Sequence, residues 1–164
     1  MTTMNSPFQR IGSKSNSQVG KEFENSAREF FDSQGIPLEP NLPISIGIEL
    51  LKKSHSFDLV NEEMKILVEC KSHRWTSGGN VPSAKLTVWN EAMYYFVAAP
   101  TGYRCIMFVL RDFSTKHGET LAQYYLRTYP HLIPRGVEFW EYDEGTRHAH
   151  RIDVQPSVPP DFGT

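Results

Sequence analysis

The chain has 164 residues, 39% of them hydrophobic and 22% charged, with a formal net charge of −2. This size and composition exclude a fibrous or wholly disordered chain and suit one domain able to bury about two thirds of its unfolded surface. The near-neutral charge excludes a uniformly basic nucleic-acid binder, so any phosphate-binding surface has to be local.

Residues 1–17 are rich in Ser, Asn, Thr and Gly without periodicity and read as a mobile N-terminal arm. They lack the pattern of a secretory leader, and no apolar run nears the ~20 residues of a membrane span, so a cytoplasmic protein without membrane contact is expected. From Gln18 to Ser33, Val19, Phe23, Ala27, Phe30 and Phe31 recur at helical spacing, and Gly35 with Pro37 stops the run. Leu42 to Leu51 alternates as a strand, with Ile44, Ile46 and Ile48 on one side, and Lys52 to His55 follows as a polar turn. Phe57–Val60 and Lys65–Lys71 are two short strand-like runs joined by so few polar residues that they must form an antiparallel hairpin.

Gly78, Gly79 and Asn80 mark a loop, after which Ser83 is the expected N-cap of a second helix to about Ala99. Its core stripe is Leu86, Trp89, Met93, Phe96 and Val97. Tyr103 to Leu110 is nearly all apolar, as in a strand covered on both faces. Glu119–Tyr129 predicts a third helix, and Val137–Tyr142 a last strand. A proline-rich tail, disordered, is expected over residues 153–164, leaving one domain over 18–152. The two cysteines, Cys70 and Cys105, sit in apolar runs and read as buried free thiols. Helix, three strands, helix, strand, then a further helix and strand imply an α/β fold with a mixed central sheet flanked by helices.

The hairpin carries the chemistry. If the chain turns at Glu62 and Glu63, Asn61 faces Met64 and Asp58 faces Leu67, so Asp58 and Glu69 become diagonal neighbours on one face with Lys71. Their Cβ atoms then lie about 7 Å apart, near enough for both carboxylates to share one cation. Phe57, Leu59, Ile66, Val68 and Cys70 fall on the other face, towards the core. Two carboxylates this close, one inside an apolar strand, need a compensating charge, which a divalent ion supplies. Magnesium suits the set, with manganese as a substitute: the two carboxylates, the Cys70 backbone carbonyl, water and a phosphate oxygen form a fitting shell. Lys71 would stabilise charge gathering on phosphate or hold the attacking water.

Phe57-Asp58, ten intervening residues, then Glu69-Cys70-Lys71 resembles the PD-(D/E)XK nuclease superfamily, as does the order of elements over residues 18–110. The motif's proline is absent at Phe57. The resemblance implies a restriction endonuclease-like αβββαβ core and a magnesium-dependent endonuclease acting on DNA. It also implies that Glu24, in Gly20-Lys21-Glu22-Phe23-Glu24, is an auxiliary carboxylate. Asn90 and Tyr94 have the spacing of the Gln-x-x-x-Tyr element of that superfamily, with Asn in place of Gln.

Lys85 is a candidate phosphate contact or a solvated helix charge. His73, Arg74 and Trp75, directly after the site, are candidates to grip a nucleic-acid backbone and stack on a base, or an ordinary polar loop with a partly buried Trp. The alternative to an enzyme is a catalytically silent nuclease-like module that binds nucleic acid or protein. In either case targeting is expected to come from a homodimer or a partner protein.

Overall fold

Helix α1 (Asn16–Ser33) starts two residues earlier than its apolar spacing predicts, because the Ser15 hydroxyl accepts the Gln18 amide and caps it. The computed structural model describes residues 14–154, so most of the expected arm and tail lies outside the described residues. Phe23, Ala27, Phe30 and Phe31 form the buried face of α1, while Val19 at its start is exposed.

Strands β1 (Glu39–Pro40), β4 (Leu59–Asn61), β5 (Ile66–Lys71), β6 (Arg104–Leu110), β9 (Glu138–Asp143) and β10 (His148–Ile152) make a six-strand mixed sheet in the order β1-β4-β5-β6-β9-β10. The β4–β5 and β9–β10 pairs are antiparallel, and β5–β6 and β6–β9 are parallel. Helix α2 (Ser83–Ala98) connects the first parallel pair, and α3 (Leu121–Thr128) lies between the strands of the second. Two small hairpins complete the α/β protein: β2 (Pro43–Ile46) with β3 (Lys53–Ser56), and β7 (Phe113–Ser114) with β8 (Glu119–Thr120). Among the described residues no helix is long and apolar enough to cross a membrane.

The sheet is packed on both faces. Leu59, Ile66, Val68, Ile106 and Phe108 meet α1 on one side, and Val60, Leu67, Met107, Val109 and Phe139 pack in one cluster with residues of α2 and α3 on the other. Fully buried Trp89 is the largest anchor of the second cluster, and truncating such a side chain costs about 3–5 kcal/mol.

Several local expectations change. The turn expected over Lys52–His55 lies over Gly47–Lys52 instead, and Lys53–Ser56 forms β3 paired to β2. Gly47 permits this: a Cβ there would clash with the Leu51 carbonyl oxygen. Ser83 is the first residue of α2 rather than its cap, since Pro82 holds that position without a side-chain hydrogen bond. Val97 leaves the expected core stripe at 51% exposure, and buried Ala92 joins it. The third helix starts at Leu121, because Glu119 and Thr120 pair with β7 and Thr120 closes a capping box with Gln123. Strand β10 carries the polar sequence His-Ala-His-Arg-Ile with only Ala149 buried, so an edge strand escapes a reading based on apolar alternation.

Candidate active site

The register of the hairpin decides what lies beside Glu69. Asn61 pairs with Ile66, Val60 with Leu67 and Leu59 with Val68, so the turn spans Glu62–Lys65 rather than Glu62 and Glu63 alone. Asn61 builds that turn: its side-chain oxygen accepts the Met64 amide at 2.8 Å, and Lys65 takes the left-handed conformation at φ 53°. The slip from the expected pairing is two residues, which leaves every side chain of β5 on its expected face because side chains alternate with period two. Asp58 lies just before the first paired residue of β4, Leu59.

At Asp58 the ladder ends. Phe57 turns away from Leu59 into the cluster under α2, against the expectation that both would share a face. The Cys70 amide would then lack a strand partner, and Asp58 Oδ2 accepts it at 2.7 Å. A residue's N–H and C=O leave an extended strand on the same side, so the Cys70 carbonyl also points towards Asp58. The Cys70 side chain packs on the α1 side, where burial, with Asp58 adding to it, pushes the thiol well above its usual range. Cys70 and Cys105 are both free.

Glu69 is 5% exposed on the α2 side of β5. One oxygen accepts Lys71 Nζ at 2.9 Å, and the other lies 3.6 Å from His55 Nε2. Burial pushes its carboxyl above the ordinary value, Asp58 adds to the rise, and Lys71 opposes it. Glu24 reaches the same region from α1. Burial raises its carboxyl, then Asp58 and, more weakly, Glu69, while Lys21 at 3.5 Å pulls the other way. Burial works against the charge of Lys71, but the Glu69 carboxylate outweighs it and holds the ammonium above its usual range. Glu24, Asp58, Glu69 and Lys71 therefore form one electrostatic unit at the carboxyl end of β5.

The other candidates divide. His73 Nδ1 accepts the Trp89 indole N–H at 2.8 Å, and burial together with Lys71 and Lys85 lowers its pKa to about 4. It is thus a neutral imidazole near neutral pH, and the same coupling puts exposed Lys85 on the site's side of α2. Arg74 is exposed, bonded to Glu144 at 2.6 Å and 3.8 Å from Asp112. Trp75, 9% exposed, is engaged on all sides: its amide and indole N–H both donate to Asp112, and its ring stacks on His117 at 4.3 Å. Asn90 accepts the Tyr125 hydroxyl at 2.8 Å and ties α2 to α3, while Tyr94 is 62% exposed.

One residue of the site went unread in the sequence. His55, assigned to a polar turn, lies on β3 with its ring stacked on Tyr95 at 3.8 Å and edge-on to Phe57 at 4.7 Å. The alternation of Lys53-Ser54-His55-Ser56 opposite Pro-Ile-Ser-Ile was the available signal, and it lacked any apolar residue to reveal it.

The residues fit a divalent ion by the chemistry of their donors. Three carboxylates, of which Glu24 and Glu69 have raised proton affinity, meet two ammoniums, Lys21 and Lys71, leaving an excess of negative charge at a partly buried point. Among the described residues no three His, Cys, Asp or Glu side chains close into a preformed cage. An ion held by Asp58 and Glu69 would keep most of its shell for water and phosphate, as magnesium does. No protein-family model, curated protein or solved structure matches the chain.

Proposed function

We propose that this protein is a metal-dependent endonuclease that hydrolyses phosphodiester bonds in DNA, on a restriction endonuclease-like version of the α/β fold. The observation that carries the reading is the group of Asp58, Glu69 and Lys71 where β4 stops and β5 continues, with Glu24 added from α1. Fold-level likeness alone would not suffice, because shared scaffolds carry different chemistries.

Hydrolysis needs a water aimed at phosphorus, stabilisation of the charge that gathers on the phosphate oxygens, and a proton for the leaving oxygen. A bound divalent ion would polarise the phosphate and lower the pKa of water. Asp58 and Glu69, with the Cys70 carbonyl, are the groups to hold it. Lys71, kept charged by Glu69, supplies a donor to a phosphate oxygen or to the attacking water. Glu24, its proton affinity raised, is suited to take a proton from that water, and solvent water gives the leaving oxygen its proton. Exposed Lys85 supplies a phosphate contact, and Arg74 supplies a second after release from Glu144. Trp75 and Asn90 serve the fold by their hydrogen bonds to Asp112 and Tyr125 and drop out of the proposed DNA contacts.

The test is purified protein with magnesium or manganese and mixed DNA substrates. Cleavage by wild type that is lost in Glu69→Ala and in Lys71→Ala, with the fold intact, supports the assignment; equal cleavage by wild type and Glu69→Ala rejects it. The silent binding module draws on the Lys71–Glu69 ion pair, which satisfies part of Glu69 without any ion. A magnesium titration separates the two, since a silent module shows no carboxylate-dependent heat.

A further inference from the structure

His55 stands apart from the other polar groups near the site. Its Nε2 is buried and, among the described residues, has no hydrogen-bond partner, although it lies 3.6 Å from Glu69 Oε1. A polar nitrogen withdrawn from water without a partner opposes folding, and such atoms in folded proteins mark a place where a water, an ion or a functional demand completes the set. The ring is not free to seek another partner. Tyr95 stacks on one face and Phe57 meets it edge-on, and β2 pins its strand by the Ile44–His55 pairing.

We propose that His55 is a positioning residue for Glu69: it holds Oε1 in the orientation that receives the divalent ion, while Lys71 holds Oε2. This rests on the metal-dependent reading above and adds a specific residue to it. The hairpin β2–β3 lies outside the six-strand sheet, and His55 is what it brings to the site. The reason is chemical. A carboxylate with one oxygen on Lys71 and the other unrestrained rotates towards whichever partner is nearest. A polar group fixed beside the second oxygen limits that rotation, and the 3.6 Å gap, too long for a good direct hydrogen bond, is short enough to close by a small movement. Groups that orient a metal-binding side chain in this way set metal affinity, and their loss typically costs 10–100-fold.

The experiment is calorimetric titration of the full chain with magnesium alone, without nucleic acid, on wild type, His55→Ala, His55→Gln and Glu69→Gln. Magnesium affinity should fall 10–100-fold in His55→Ala and recover at least in part in His55→Gln, which restores a side-chain N–H. A wild-type measurement accompanies it: the His55 Nε2 resonance should move as magnesium saturates the protein and stay still in Glu69→Gln. Glu69-dependent binding with unchanged affinity in His55→Ala, or with a motionless His55 resonance, overturns this proposal and leaves the nuclease reading standing. Equal losses in the Ala and Gln variants overturn it too, since they mean that only ring packing matters. Binding that persists in Glu69→Gln, or that is absent from wild type, overturns the metal site itself and this proposal with it.

Discussion

Two regions of the same sheet bury glutamates, and they treat them differently. On β9, Glu138 is held by Arg104 and by Arg151, and Glu141 accepts the Thr120 hydroxyl at 2.6 Å with Arg111 at 3.8 Å. Each carboxylate there meets cations or a hydroxyl, and among the described residues no second carboxylate is bonded beside it. On β5, Glu69 has one ammonium at hydrogen-bond distance, while Asp58 raises its proton affinity and Glu24 stands in the same cluster. Burial is nearly equal, at 5% exposure for Glu138 and Glu69. What separates the regions is charge balance, which on β9 closes within the fold and on β5 calls for something further. A buried charge that the fold itself neutralises is architectural, whereas one left in excess points to a ligand.

Substitutions at the two ends sharpen the contrast. The largest effect is expected for Glu69→Ala, which should lower DNA cleavage roughly 10²-fold or more while thermal unfolding stays near wild type. An unfolded variant would assign Glu69 to the same architectural class as its counterparts on β9. Glu141→Ala should do the reverse. It leaves the Thr120 hydroxyl without its acceptor and Arg111 without a neighbour, and should cost about 1–3 kcal/mol in denaturant unfolding with cleavage per folded molecule retained.

A smaller effect is carried by pH. The Glu69 and Glu24 carboxyls are raised above their ordinary 4.5 in the folded protein. As pH rises from that value through the raised one, the folded state holds more protons than the unfolded state, so stability falls across the window. Metal-free protein should therefore lose stability as pH climbs above about 4.5 through these groups, and magnesium should restore more of it at the upper end. His73 has the opposite sign. With its pKa lowered to about 4, its neutral burial favours the folded state above 6.5, and that contribution is lost as pH falls towards 4. Unfolding midpoints measured against pH for wild type and Glu69→Gln resolve the two, since only the carboxylate component should flatten in the variant. Smallest of all is Arg111→Ala. Its guanidinium is 40% exposed and 3.8 Å from Glu141, so the change in stability should stay below about 1 kcal/mol. A larger loss would mean that Glu141 depends on Arg111 more than on Thr120.

Much of the site was legible because the side-chain period of a strand survives an error in pairing. The hairpin turn reads as two residues and is four, yet the two-residue slip left Asp58 within electrostatic reach of Glu69. A one-residue slip would have separated them. The partner of Asp58 was not legible: nothing in Phe57-Asp58-Leu59 shows that Phe57 turns under α2 and leaves the Cys70 amide to the Asp58 carboxylate. Trp75 illustrates the converse. A Trp after Lys71-Ser72-His73-Arg74 reads equally well as a base-stacking group or a buried one, and the hydrogen bonds to Asp112, 37 residues away, make it the latter.

Local pattern thus determined the helices on their apolar stripes, the strongly apolar strands β5 and β6, and the spacing of Asp58, Glu69 and Lys71, since these follow from the 3.6- and 2-residue periods of the backbone. Tertiary structure alone decided that His55 stands beside Glu69, that Asp58 accepts the Cys70 amide, and that the carboxylates of β9 are balanced by their partners while those near β5 outnumber the ammoniums beside them. Those outcomes depend on which distant segments share a volume, and no period along a single chain encodes the distance between residues brought together only by packing.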